Sequence, residues 1–113
     1  MIEYTIGNAV VTVAFDGFVR DVLGGNRCQY IYTITAEGWQ YVGNDLHSGV
    51  AASPDEIDAA ATLFGFLGAC AESRNYNGGT GDNADLFPDH VGEWAVENSD
   101  EIGMLEYELE NSE

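Results

Sequence analysis

The chain has 113 residues, 45% hydrophobic and 12% aromatic, with twenty Asp or Glu against three Arg and no Lys, for a formal charge of −17. That length and apolar content suit one domain with a real core and exclude a wholly disordered acidic tail. The charge excludes nucleic acid and anionic membrane as direct ligands and favours basic partners. Met1-Ile2-Glu3-Tyr4 lacks the basic start and apolar run of a signal peptide. No stretch approaches the ~20 apolar residues of a membrane span.

The first half reads as β. Ile2, Tyr4 and Ile6 alternate, Gly7-Asn8 punctuates, and Val11, Val13 and Phe15 alternate again, as in a hairpin. Asp16-Gly17 reads as a turn. Phe18 to Leu23 fits either a short strand or one helical turn, and Gly24-Gly25-Asn26 is a break. The clearest strand runs from Cys28 to Thr35, with Cys28, Tyr30, Tyr32 and Ile34 on one face. Ala36-Glu37-Gly38 turns it, and Trp39 to Gly43 returns as its antiparallel partner. A meander of about four strands is expected over 1–50.

The period then changes. Ser53-Pro54-Asp55-Glu56 has the order of a helix start: Ser53 as cap, Pro54 at the first position, and Glu56 closing a capping box. Ile57, Ala60, Ala61, Phe64, Leu67, Gly68 and Ala71 predict a broad buried face on a helix over 53–75. A Gly-rich loop follows over 76–87, and Pro88 opens an acidic stretch over 88–110 that reads as one helix or as a kinked pair, with the kink near 98–100 at Asn98-Ser99-Asp100. Val91, Trp94, Ala95, Ile102, Leu105 and Leu109 form its expected buried stripe. The expected fold is therefore α+β, with two or three helices packed on one face of the antiparallel sheet. Cys28 and Cys70 fall in apolar patterns on separate elements, as two reduced buried thiols of a cytosolic protein would, with a disulfide as the competing expectation.

No pattern supports catalysis, a metal or a cofactor. His47 and His90 lie on different elements without the spacing that fixes metal geometry. Ser48 beside His47 does not make a triad, because adjacency does not imply nucleophile–base geometry. Asp82, Asn83 and Asp85 suggest a calcium loop, but the alternate positions hold Ala84 and Leu86, so the ligand register fails. Gly78-Gly79-Thr80-Gly81 lacks the following Lys of a phosphate cradle. Trp39 and Tyr41 read as core aromatics or as candidate aromatic anchors for a partner, if the sheet has an open face.

Asp82 to Glu113 carries −11 of the −17 and no Lys or Arg. Asp89, Glu93, Glu97 and Glu101 recur every four residues, roughly 6 Å apart on a helix, where like charges repel. Adding Asp100, Glu106, Glu108 and Glu110 gives near one charge per ~4 Å of helix, against about one per 3.4 Å along a DNA strand. These eight are the candidate partner-binding residues. This small, Lys-free, carboxylate-lined chain resembles the acidic inhibitors of phages and mobile elements, of the anti-CRISPR and anti-restriction types, some of which are DNA mimics. The resemblance implies a non-enzymatic inhibitor, monomer or dimer, in the bacterial cytoplasm. It would occlude the basic surface of a nucleic-acid-binding defence nuclease or complex. The competing expectation is a structural or adaptor domain of a phage or halophile whose acidity serves solubility.

Overall fold

The computed structural model describes residues 1–20, 26–44, 56–76, 84 and 86–111. The chain divides into two compact units, Met1–Ala59 and Ala60–Glu113. The first holds a four-stranded antiparallel sheet in the order β1-β2-β3-β4. Its strands are β1 (Ile2–Ile6), β2 (Ala9–Arg20), β3 (Asn26–Ala36) and β4 (Trp39–Asn44). The helices are α1 (Glu56–Tyr76), α2 (Asp89–Glu97) and α3 (Ser99–Glu110). The class is α+β, and the meander is the one the alternation predicts.

Two-residue turns close the outer hairpins. Gly7 at φ 59° and Gly38 at φ 93° supply the left-handed backbone those turns need. Register pairs Val11 with Ile34 and Val13 with Tyr32. Ile6, Ala9, Val11, Val13, Tyr30, Tyr32 and Ile34 are all buried, so the period-two pattern marks the inner face correctly. On the other face Thr12 and Thr33 are directly paired and joined by a hydroxyl–hydroxyl hydrogen bond.

Asp16-Gly17 is not a turn. The β2–β3 register shifts between Phe15 and Gly17, so the pair marks a bulge inside a twelve-residue strand. Gly17 takes φ 110° there, and the strand continues through Phe18 to Arg20. Sequence alone misreads this because the residues that tolerate turns also tolerate bulges. At β4, Gly43 lies opposite Tyr32, and the rings of Tyr32 and Tyr41 occupy the space a Cβ would need. The two rings thus cover the edge glycine and fix the β3–β4 register.

Ser53 and Pro54 lie outside the described residues, as do His47, Ser48, the 77–83 glycine loop and Asp85. The capping box expected at Ser53 therefore falls outside the described residues, but the Glu56 carboxylate has long-range partners. Its Oε2 accepts the backbone N–H of Phe15 at 2.8 Å, and its Oε1 pairs with the Met1 amine at 2.9 Å. Phe15 lies two residues past Val13, where β1–β2 pairing ends. The amine first, and the Phe15 N–H second, hold the Glu56 carboxyl below the usual carboxylate range.

A lowered carboxyl pKa gives stability that is present above the unfolded value, near 4.3, and is lost as pH falls through the folded value. Glu56→Gln should therefore cost about 1–2 kcal/mol at pH 7. The wild-type advantage should shrink below about pH 4 in urea titrations. An advantage that stays constant down to about pH 2 would contradict this role.

The α1 pattern is right in outline and wrong at its start. Ala60, Phe64, Leu67 and Ala71 are buried, joined by Leu63 and Cys70, but Ile57 is 44% exposed. Ile57 precedes the second unit, and the buried stripe begins two residues later at Ala59. Cys70 is a buried free thiol whose Sγ donates to the Ala84 carbonyl at 3.5 Å. Only the backbone is described at Cys28.

Candidate partner-binding surface

The acidic segment forms two helices that meet at Asn98. The Asn98 backbone N–H and its Nδ2 both donate to the Trp94 carbonyl, at 3.1 and 2.8 Å, which ends α2. The Asn98 carbonyl then accepts the Ile102 N–H at 3.0 Å, so α3 starts from the same residue. The side chain that closes one helix thus sits where the next begins. Val91, Trp94, Ala95 and Ile102 are buried, as their spacing predicts, whereas Leu105 and Leu109 are only half-buried.

The carboxylates fall into three groups. Glu93 and Glu97 are exposed on α2, and Asp100, Glu101 and Glu108 are exposed on α3. Asp89 is solvent-exposed but already paired, its Oδ1 accepting from the Arg74 guanidinium at 3.0 Å. Glu106 is half-buried, and its carboxylate lies over α1: Cβ atoms added at Gly65 and Gly68 would sit 3.3 and 3.6 Å from its oxygens. Only the backbone of Glu110 is described. The break at Asn98 falls where the kink was expected, and the charge is carried on two shorter helices.

A groove of about 420 Å³ runs between α1 and α3, lined by Glu72, Asp100 and Glu106 above Gly65, Gly68 and Gly103. Glu72 is a participant the sequence reading passed over. Its signal is a four-residue step from Gly68, on the helix face where the glycines thin the wall. Among the described residues, no three His, Cys, Asp or Glu side chains converge as metal ligands. None of the described helices is long and apolar enough to cross a membrane.

Trp39 and Tyr41 are half-buried on β4. Tyr41 pairs with Ile34 and Trp39 with Ala36, so both share the inner face, and burial raises the Tyr41 hydroxyl pKa. The large apolar side chain that β4 exposes is Val42, at 60%.

Arg74 organises this unit from within. Its Nε donates to the Ala84 carbonyl at 3.0 Å while its other end holds Asp89. The Asp89 hydrogen bond, the largest influence, raises its already high pKa. The side chain crosses α2 at Gly92, where an added Cβ would overlap Nε and Cζ.

Gly92→Ala should gain about 1 kcal/mol of helix propensity. It should lose more by displacing Arg74 from a buried carbonyl, for a net cost of about 1–2 kcal/mol. The pair is coupled, so Gly92→Ala added to Arg74→Ala should cost nothing and show the propensity gain of about 1 kcal/mol instead. Denaturant midpoints of the two single variants and the double variant check this. A stabilised Gly92→Ala protein would show that Arg74 does not need the site.

No protein-family model, curated protein or solved structure matches the chain. The surface has to be read from its own chemistry.

Proposed function

We propose that this chain is a non-enzymatic acidic binding protein. It inhibits a nucleic-acid-binding bacterial defence protein, a nuclease or a larger complex, by occluding its basic surface. The observation that carries the reading is the exposed carboxylate set Glu93, Glu97, Asp100, Glu101 and Glu108, within a segment that has no Lys or Arg. A solvated helix face ordinarily mixes signs, because i, i+4 pairs of opposite charge stabilise it and like pairs do not. Here exposed carboxylates recur on two successive helices whose sequence offers no Lys or Arg.

Chemically, the surface offers what a phosphate backbone offers: acceptor-only anions that Arg and Lys can pair with. Association would be fast and electrostatically steered, and steeply weakened by salt. The work is done in the bacterial cytoplasm, on a partner whose own ligand is nucleic acid.

The test is capture from the native host followed by competition. Immobilised protein should retain a basic nucleic-acid-binding protein, and added DNA should release it in proportion to its concentration. The chain itself should not shift DNA. A captured partner that binds DNA and this chain simultaneously would overturn occlusion.

A further inference from the structure

α3 leaves two large apolar side chains in water: Met104 is 65% exposed and Tyr107 69%. With Ser99, Asp100, Gly103 and Glu108 they line a second, shallow groove of about 550 Å³. Positions 100, 103, 104, 107 and 108 recur at helical spacing, so they share one face. Gly103 is the informative member. A Cβ added there would meet nothing within 4 Å, so no neighbour in the fold requires glycine. Mid-helix glycine is nonetheless unfavourable relative to alanine. Gly65, Gly68 and Gly92, in contrast, lie against Glu106 or Arg74. Gly103 alone among these opens onto solvent, between two apolar side chains. A missing side chain there lets an outside group approach the α3 backbone closely.

Charge decides what that group is. Asp100 and Glu108 edge the groove, and Glu72 and Glu106 line the groove that shares Ser99, Asp100 and Gly103 with it. A second copy of this chain, at −17, would bring like charge to the same place. A cationic partner is complementary.

We propose that the Asp100–Gly103–Met104–Tyr107–Glu108 face docks a basic amphipathic helix of the partner. One apolar side chain of that helix seats on Gly103 between Met104 and Tyr107, as in helix-in-groove recognition. Arg side chains flanking it pair with Asp100 and Glu108 and stack on the Tyr107 ring. The proposal rests on the acidic-occlusion reading and deepens it: carboxylates set the association rate, and this anchor sets residence and selectivity.

The test uses two synthetic peptides of roughly 18 residues, about five turns, with identical Leu and Arg content. In one the Leu residues follow helical spacing, and in the other the order is scrambled. Each is titrated into the full-length, isotope-labelled chain. The amphipathic peptide should bind about tenfold tighter or better, a difference of about 1.4 kcal/mol. Shift changes should centre on residues 103–107. Gly103→Leu, which fills open space, and Met104→Ser combined with Tyr107→Ser should bring its affinity down to that of the scrambled peptide. Glu93→Gln with Glu97→Gln should weaken both peptides alike.

Equal affinity of the two peptides would overturn the docking proposal and leave occlusion by charge standing. Failure of both to bind at low salt would overturn both. Self-association abolished by Gly103→Leu would replace the basic helix with a second copy and equally overturn the proposal.

Discussion

Phe64→Ala should destabilise the protein by about 3–5 kcal/mol, the largest effect of any single change proposed for this chain. Phe64 is fully buried near the middle of α1, flanked in sequence by buried Leu63 and followed one turn on by buried Leu67. Removing the ring forfeits its transfer from water and leaves a cavity that close-packed neighbours fill only in part. Since small domains have total stabilities of only about 5–15 kcal/mol, the variant should be close to unfolding. Ile57→Ala, on the same helix but at a 44% exposed position, is the control and should cost well under half as much. Urea denaturation of both variants decides it. If the two costs are equal, Phe64 is not a keystone of the core.

The strands and the helical half were legible because alternation and 3.6-residue spacing come directly from side-chain burial. Cys28 to Thr35 illustrates this: its alternate members Tyr30, Tyr32 and Ile34 are the buried ones. What escaped was non-local. The Glu56 carboxylate holds the Phe15 N–H and the Met1 amine, 41 and 55 positions away in sequence, which no local pattern announces. Asp16-Gly17 permits a turn or a bulge equally, and only pairing with β3 separates them.

On the candidate surface, the identity of the acidic residues was legible but their grouping was not. The break at Asn98 was expected, and its side chain turns back to the Trp94 carbonyl to make it, but the pairings across the unit were not. Arg74 pairs with Asp89 from α1, fifteen residues earlier in the chain. Met104 and Tyr107 carried a usable signal. They are apolar residues left outside the stripe of Val91, Trp94, Ala95 and Ile102, and an apolar residue without a place in the core is a candidate for contact.

The second large effect concerns association. Glu93, Glu97 and Glu101 are exposed, and replacing all three by Gln keeps shape and helix propensity while removing three charges. Because steering acts before contact, the loss should fall on the association rate rather than on dissociation. Wild-type association should itself slow steeply as salt shortens the Debye length from about 10 Å at 0.1 M toward about 3 Å at 1 M.

The direct measurement is stopped-flow association of the captured partner with wild type, with the Glu93→Gln/Glu97→Gln/Glu101→Gln protein, and with Val42→Ser as a change on the sheet. At low salt the triple variant should associate about tenfold more slowly or worse, converging on wild type at about 1 M salt, while Val42→Ser is unchanged. If the triple variant associates as fast as wild type and Val42→Ser abolishes binding, the partner reads the sheet, and the carboxylates of α2 and α3 are only a solvated surface.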